Sequence, residues 1–373
     1  MTQELTLNIE PKIIIEKIED EITAGEKLTD EKIENSLNYE LLSKKEKETI
    51  DKFCREIDVT DLEKVLVFGD YFQNNFLELS NNVLTNVNTP NISKVENLLI
   101  DLVNEIENVN TNIPDKMNFK GLKSIFFNAE RQTEKIITRY SEAYVYVDEI
   151  ERKLQTQKIK ILKDITIFDT MYEKSLEYFK TISLYIIAGE KKIEELKSVD
   201  LSELPKVSEE ITDKNNTYKS DDIINRFEKR IFNLKTLRTI LVRIAIQIKL
   251  IKNSDSELVK EIQTSLKNNI PIWKKEIVIT LGLDNSQNTV KIPESVIDTT
   301  DEIVNQEPIE NTENSKKTII NVETLKQSNK NIIEIVNNVL DTYENTRTKR
   351  TTAERELLNI KQLLKDEIKM EKN

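Results

Sequence analysis

The chain has 373 residues and a formal net charge of −12, from 55 Lys and Arg against 67 Asp and Glu. It contains no histidine, one cysteine (Cys54), five glycines and seven prolines. These counts exclude a histidine-based catalytic or metal site, an intrachain disulfide and a zinc site built from several cysteines. With 33% charged residues and so little glycine, the composition favours long, exposed helices.

No stretch approaches the roughly 18 consecutive apolar residues of a membrane span. The first residues, MTQELTLNIEPK, lack the basic and apolar regions of a signal peptide. We therefore expect a cytoplasmic protein that is not integral to a membrane. The negative charge argues against binding to nucleic acid and to anionic lipid in general, although a local basic surface leaves contact with a membrane surface open.

The first part of the chain predicts short helices in two regions. Residues 1–57 form an acidic, partly flexible segment, and residues 58–120 form a small helical subdomain with one helix over 58–84 and another that opens after Pro90. Helix caps are predicted at polar residues that precede apolar, periodic stretches: Thr29, Ser43, and either Thr60 or Asp61.

A long helix over about 124–197 follows, because apolar residues recur at alternating spacings of three and four. Eleven of fourteen successive positions are apolar or aromatic, which is the heptad pattern of coiled-coil packing. The positions are Tyr140, Tyr144, Val147, Glu151, Leu154, Lys158, Ile161, Ile165, Phe168, Tyr172, Ser175, Phe179, Ile182 and Ile186.

A second long helix is predicted over about 221–283, after a linker at 198–220 that contains Pro205. Its heptad positions run from Phe227 to Trp273 with four polar insertions. Residues 221–283 carry 12 bases and 7 acids, a net of +5, between acidic segments. Two long helices joined by about twenty residues predict an antiparallel hairpin, which places Lys252 near Asp164 or Asp169.

Residues 284–316 lose the pattern and contain Pro293 and Pro308, so we interpret them as a partly disordered linker. A last helix over about 321–370 completes a long-helix bundle, residues 121–373. The predicted fold class is therefore all-α: an elongated bundle of long antiparallel, coiled-coil-like helices with a smaller N-terminal helical region.

Pro271 interrupts the second long helix two residues before Trp273, the only tryptophan. Proline removes a backbone donor and clashes with the preceding turn, so we predict a structural kink at Pro271. Trp273 is expected to pack at that bend. Stacking of Trp273 on a ligand is the less favoured alternative.

Several blocks of the chain resemble one protein family. They are LKDITIFDTMYEKSLEYFKTISLYIIAGEKKIEEL from Leu162, IQIKLIKNSDSELVKEIQTSL from Ile246, IPIWKKEIVITLGL from Ile270, VIDTTDEIV from Val296 and INVETLKQSNKNIIEIV from Ile320. In this order they look like the toxic anion resistance family, the TelA-like tellurite resistance proteins, from about Asp58 to the C-terminus. The resemblance implies a role in resistance to tellurite and other toxic anions, and it supplies no catalytic residues.

Six basic residues of the second long helix are candidate contacts for an anion or a partner, since guanidinium groups match oxyanions. The favoured alternative is structural: pairing with acids on neighbouring helices, or fixing the register of the packed helices. The six are Arg226, Arg230, Arg238, Arg243, Lys249 and Lys252.

Other candidate chemistry is weaker. Four carboxylates of the first long helix are spaced as the ligands of a metal site would be: Asp164, Asp169, Glu173 and Glu177. Such sites normally add histidines, so no metal is expected.

Cys54 is interpreted as a core residue. The bases of 347–350 are interpreted as a solvated patch, and no nucleotide or hydrolase motif occurs, so no cofactor is expected.

The sequence therefore predicts a non-enzymatic, helical protein of a toxic-anion or envelope stress response that acts through protein partners. Two alternatives stay open. The first is a direct binder of oxyanions, or an enzyme acting on them, that uses the basic face of 221–283. The second is a helical scaffold on a membrane surface.

Overall fold

A computed structural model describes residues 12, 14–15, 17, 33, 37–59, 61–87, 90–111, 125–198, 220–281 and 322–371. These residues contain helices and no strand, which confirms the predicted all-α class. The helices are α1 (Lys44–Glu56), α2 (Leu62–Leu66), α3 (Tyr71–Val87), α4 (Pro90–Thr111), α5 (Ile125–Ser198), α6 (Ser220–Thr264), α7 (Ile270–Thr280) and α8 (Val322–Glu371). The predicted cap at Thr29 and the interiors of both predicted linkers lie outside the described residues.

The short N-terminal helices begin where polar side chains can satisfy free backbone donors. Ser43 caps α1, and a capping box forms because the Ser43 N–H donates to Glu46 Oε2 at 2.8 Å while the Ser43 side chain accepts from the Glu46 N–H. Asp61 caps α2 by accepting from the backbone of Glu63 and Lys64. Of the two predicted caps, Thr60 and Asp61, the structure uses Asp61.

The single helix predicted over 58–84 is wrong, because the chain turns between α2 and α3 at Gly69. Gly69 has φ +77°, a left-handed conformation that side chains other than glycine's rarely adopt. A Cβ at this position would lie 2.8 Å from Leu234 Cδ2. The backbone conformation therefore requires glycine here, and a Cβ would in addition force the Leu234 side chain to move.

Spatial contacts divide the chain into two compact units. The first contains residues 1–88, 165–253 and 349–373, and the second contains 89–164 and 254–348. Helices α5, α6 and α8 contribute residues to both units, so the units are not consecutive in sequence. The sequence-based domain boundaries after residues 57 and 120 stay predictions.

In the first unit, α5 and α6 run antiparallel, as the hairpin prediction requires. Lys252 lies 2.5 Å from Asp169, as predicted, and Lys235 lies 2.6 Å from Glu190. From the first pair to the second, the residue number falls on α6 and rises on α5, so the two helices run in opposite directions. The apolar core of this unit includes Phe168, Phe179 and their α6 neighbours. Aromatic rings of α1, α3, α5 and α6 pack together beside it: Phe53, Phe68, Phe72, Phe76, Tyr178, Tyr185 and Phe227.

In the second unit, α5 again lies antiparallel to the chain that follows α6. Lys274 on α7 is nearly buried and donates to Asp148 at 2.8 Å and to Glu151 at 2.6 Å. Hydrogen bonds to carboxylates on α5 offset the cost of desolvating this ammonium group. The Thr346 hydroxyl on α8 donates to the Ser254 carbonyl oxygen at 3.1 Å.

The heptad positions predict burial well. Each long heptad repeat has fourteen positions, and twelve of them are buried in each helix. The exceptions are half-buried: Glu151 and Ile165 in the first repeat, and Lys252 and Asn269 in the second. Periodicity alone thus identifies the packing face of both long helices.

The interpretation of 347–350 as a solvated patch is wrong for Arg350. Its side chain is fully buried, and Nη1 approaches the Val87 carbonyl oxygen, at the C-terminus of α3, at 3.4 Å. A cation suits a helix C-terminus because free carbonyl groups give that end partial negative charge. Arg350 also continues the buried stripe of Tyr343 and Thr346 on α8. Only Arg347 of the two arginines is exposed.

The chain around Pro271 departs from regular α-helix. Residues Ser265–Asn269 form a π-helical turn, and α7 begins at Ile270 with Pro271 in its first turn. A π turn changes the hydrogen-bond ladder just before the residue that cannot donate to it. Pro271 therefore lies in the first turn of α7, just after the π turn. A bend of the helix axis at this point stays a prediction.

Trp273 lies in the interior of the second unit, 2% exposed. Its Nε1–H donates to Asn329 Oδ1 at 2.9 Å, and Asn329 Nδ2 donates to the Tyr140 hydroxyl at 2.9 Å. Burial raises the pKa of Tyr140 to about 12. This chain of three buried polar groups connects α5, α7 and α8.

We expect Trp273→Ala to lower the free energy of unfolding by about 3–5 kcal/mol, because it leaves a large cavity. Trp273→Phe retains most of the apolar volume but removes the donor to Asn329, so we expect a smaller loss of about 1–3 kcal/mol. Urea unfolding followed by circular dichroism measures both. Losses below about 0.5 kcal/mol, as for an ordinary surface site, would contradict the core role of Trp273.

Candidate functional site

The six basic residues predicted as contacts do not form one site. They are spread along α6 from Arg226 to Lys252, about 39 Å at 1.5 Å per residue. Arg226 is exposed, Arg243, Lys249 and Lys252 are half-buried, and Arg230 and Arg238 are buried. A small oxyanion therefore cannot contact the whole set.

Arg230 holds the turn between α2 and α3. Its Nε–H donates to the Phe68 carbonyl oxygen at 2.6 Å, and its Nη2 forms an ion pair with Asp70. The planar guanidinium suits this two-point contact. Arg230 thereby fixes the turn at Gly69 against α6, which is a structural role.

Lys252 is also engaged within the first unit. Its Nζ donates to Asp169 Oδ1 at 2.5 Å and lies 6.0 Å from the centre of the Tyr172 ring. Asp169 was a candidate metal ligand in sequence, and the structure gives it an ammonium partner instead. Glu173 and Glu177 are exposed, and the described residues contain no group of three side chains arranged to hold a metal ion.

Arg238 lines a cavity of about 760 Å³ in the first unit. The cavity lies between the 3₁₀ turn at Tyr39–Leu41, α5 and α6. Its charged and polar lining residues are Asn38, Tyr39, Glu40, Glu190, Lys191, Glu194, Glu228, Lys235 and Arg238. Its apolar lining residues are Leu37, Ile187, Ile193, Ile231 and Phe232.

Cations lie deeper in this cavity than carboxylates. Arg238 is fully buried, and the side chains of Lys191 and Lys235 are 25% and 22% exposed. The side chains of Glu228, Glu190 and Glu40 are 38%, 39% and 86% exposed, and Glu194 is also exposed. A molecule that enters from solvent therefore meets carboxylates before it meets cations.

Lys191 forms a three-residue cluster at the cavity wall. Its Nζ donates to Asp51 Oδ1 at 2.5 Å and to the Tyr39 hydroxyl at 2.9 Å, and that hydroxyl donates to Asp51 Oδ1 at 2.9 Å. The bond from Lys191 lowers the pKa of Asp51. Burial opposes the charged form of Lys191, but its bonds to Asp51 and Tyr39 outweigh this and raise its pKa.

This cluster was missed in the sequence analysis. Tyr39 and Asp51 lie about 140–150 residues before Lys191, and all three are ordinary residues of polar helix faces. The only local signal was the cap at Ser43, which places a helix over Asp51 without saying what it contacts.

Cys54 is buried in the apolar core of the first unit, with Sγ 3.6 Å from Glu195 Oε2. Burial and then the negative charge of Glu195 raise the pKa of the thiol to about 11. Because thiolate is the reactive form, this position disfavours nucleophilic or redox chemistry at neutral pH.

We expect Asp51→Asn to destabilise the protein at neutral pH and to have less effect in acid. The folded pKa of Asp51 is below its ordinary value of 3.8, so its stabilising contribution is present above that value and is lost as the pH falls through the folded pKa. Melting temperatures of both proteins from pH 7 down to pH 2 measure this.

Asp341→Asn is the matched control for that prediction, because Asp341 is an exposed aspartate on α8. It should leave the melting temperature within about 1 °C at every pH, as surface substitutions usually do. A constant difference between Asp51→Asn and the unmodified protein across the acid range would contradict the linkage to the Asp51 carboxyl group.

Among the described residues no helix is apolar over a length sufficient to cross a membrane.

No solved structure gives a significant match to the chain. Three similar proteins are TelA-like proteins of Staphylococcus aureus, from strains bovine RF122 / ET3-1, Mu50 / ATCC 700699 and N315. Each is 30% identical over 352 residues, which cover 91% of this chain and 93% of the relative. The profile of the toxic anion resistance protein (TelA) family matches residues 50–370. The chain belongs to this family.

Proposed function

We propose that this protein contributes to resistance to tellurite or related toxic anions as a cytoplasmic, non-enzymatic scaffold that binds protein partners. The family description gives the biological context, toxic anion resistance. It names no reaction, so the argument for a scaffold rests on the side chains of this chain.

The observation that carries the proposal is that two of the six candidate basic residues of α6, Arg230 and Lys252, are used in contacts within the fold. Arg230 contacts Phe68 and Asp70, and Lys252 contacts Asp169. A cation paired with a carboxylate binds a weakly basic oxyanion poorly, because the anion must displace the carboxylate first. This arrangement supports a structural use of the positive charge on α6.

Direct binding of an oxyanion is the second candidate, because Lys191, Lys235 and Arg238 line one cavity. Two features oppose it. Lys191 and Lys235 are each paired with a carboxylate at 2.5–2.6 Å, and more exposed glutamates surround the entrance. Titration calorimetry with tellurite distinguishes the two candidates, since a scaffold of this kind should show no heat of binding at millimolar anion.

Redox chemistry at Cys54 receives no support from its surroundings. The thiol is buried, its pKa is raised to about 11, and Glu195 lies beside it. An approaching anion would be repelled by the same carboxylate that disfavours the thiolate.

We expect Cys54→Ala to leave tellurite resistance intact in a deletion strain complemented with the variant, because no step of the proposed role uses the thiol. The purified protein should not deplete tellurite in the presence of a general reductant. Growth inhibition by tellurite measures the first outcome, and loss of soluble tellurite over time measures the second. Catalytic depletion, or loss of resistance with Cys54→Ala at normal protein levels, would contradict a non-enzymatic role.

We expect Arg238→Glu to abolish resistance by destabilising the first unit, since a buried charge of reversed sign costs several kcal/mol. Arg226→Glu makes the same charge change at an exposed position of the same helix and should alter stability by no more than about 0.5 kcal/mol. Melting temperature and complementation are measured for both. The structural argument fails if Arg238→Glu melts like the unmodified protein.

A further inference from the structure

The entrance of the cavity in the first unit combines negative charge with an exposed aromatic ring. Phe232 on α6 is 67% exposed, the largest exposed fraction among the described large apolar residues, and it lines the cavity. An aromatic side chain that stands in solvent at the edge of a cavity is a common anchor for a partner's apolar side chain. Ile187, Ile193 and Ile231 lie beside it in the lining.

The charges of the cavity are largely neutralised from within the protein. Lys235 pairs with Glu190, and Lys191 pairs with Asp51. Glu194 is exposed at the edge of the cavity on α5. Glu228 is paired with Lys197 at 2.5 Å, and Glu40 lies 3.5 Å from Lys47. Glu194 is therefore the lining carboxylate best placed to meet an incoming cation.

The cavity is larger than a small oxyanion needs. Its volume of about 760 Å³ lies within the usual range of small-molecule sites, about 300–1,000 Å³, so it has room for side chains of a docked segment. Its lining contains both isoleucines and charged groups, which suits a segment that has both apolar and charged side chains. The chain's net charge of −12 also attracts a positively charged partner at long range.

We propose that this cavity is the docking site for a basic, amphipathic segment of a partner protein. An apolar or aromatic side chain of that segment packs on Phe232 and the neighbouring isoleucines. A Lys or Arg side chain of the segment pairs with Glu194. This proposal rests on the proposed function, because it identifies the chemistry of the partner that the scaffold binds.

Selection from a random peptide library displayed on phage tests the proposal with the full chain as bait. We expect the selected peptides to be rich in Lys or Arg and in aromatic or aliphatic residues, and poor in Asp and Glu. The most enriched sequence is then synthesised with a fluorescent label, and its affinity is measured by anisotropy. Phe232→Ala and Glu194→Lys should each weaken binding about tenfold or more, equivalent to about 1.4 kcal/mol.

Two variants provide matched controls. Ile279→Ala truncates another exposed apolar residue, on α7, and Glu173→Lys reverses another exposed glutamate on α5; neither residue lines the cavity. Both should leave affinity within about twofold, well below the tenfold effect. Circular dichroism confirms that all four variants are folded.

Three results would overturn the docking site: no enrichment, enrichment of acidic peptides, or binding that the controls weaken as much as the cavity variants. Competition by tellurite at the same concentrations would favour the oxyanion site instead. Because none of these results depends on tellurite turnover, failure of this proposal leaves the test of the non-enzymatic role unchanged.

Discussion

A charged side chain buried between helices costs free energy unless an opposite charge or a carbonyl oxygen lies beside it. This constraint explains most of the polar contacts in the structure. Lys274 lies between Asp148 and Glu151, Arg230 reaches the Phe68 carbonyl and Asp70, and Arg350 ends at the Val87 carbonyl. Each pairing joins residues far apart in sequence, and each therefore selects one register of the packed helices.

The same constraint determines the sign of charge that reaches solvent around the cavity. Cations of α5 and α6 point into the packed first unit, where Arg238, Lys191 and Lys235 are shielded, and glutamates remain at the edge. The net charge of +5 over 221–283 would suggest a surface for anions. Of the twelve bases in this segment, however, Arg230, Arg238 and Lys274 are buried, and Lys235 and Lys252 are paired with carboxylates. The charge of the segment therefore overstates the positive charge that is available at the cavity.

Local pattern predicted the long helices because heptad spacing repeats within one element and does not depend on the rest of the fold. It also placed Lys252 near Asp164 or Asp169, since hairpin topology restricts the register, and the structure pairs it with Asp169. The sequence did not reveal the Tyr39–Asp51–Lys191 cluster or the burial of Arg350, because these depend on contacts between distant helices. The break at Gly69 was missed because apolar spacing continues across it. The requirement for glycine comes from the positive φ of the turn, which apolar spacing does not reveal.

The polar residues that interrupt the heptads carry the most information about function. An apolar residue at position 238 would pack equally well and would cost less to bury, yet the chain has an arginine there, fully buried at the wall of a cavity. A buried arginine fixes that wall in one arrangement, because its charge tolerates few alternatives. The exposed Phe232 lies six residues, about 1.7 turns, earlier on the same helix. A side chain presented by a packed helix needs little ordering when it binds a flexible segment, which lowers the entropy cost of binding, and this is the property that the proposed partner-binding scaffold needs.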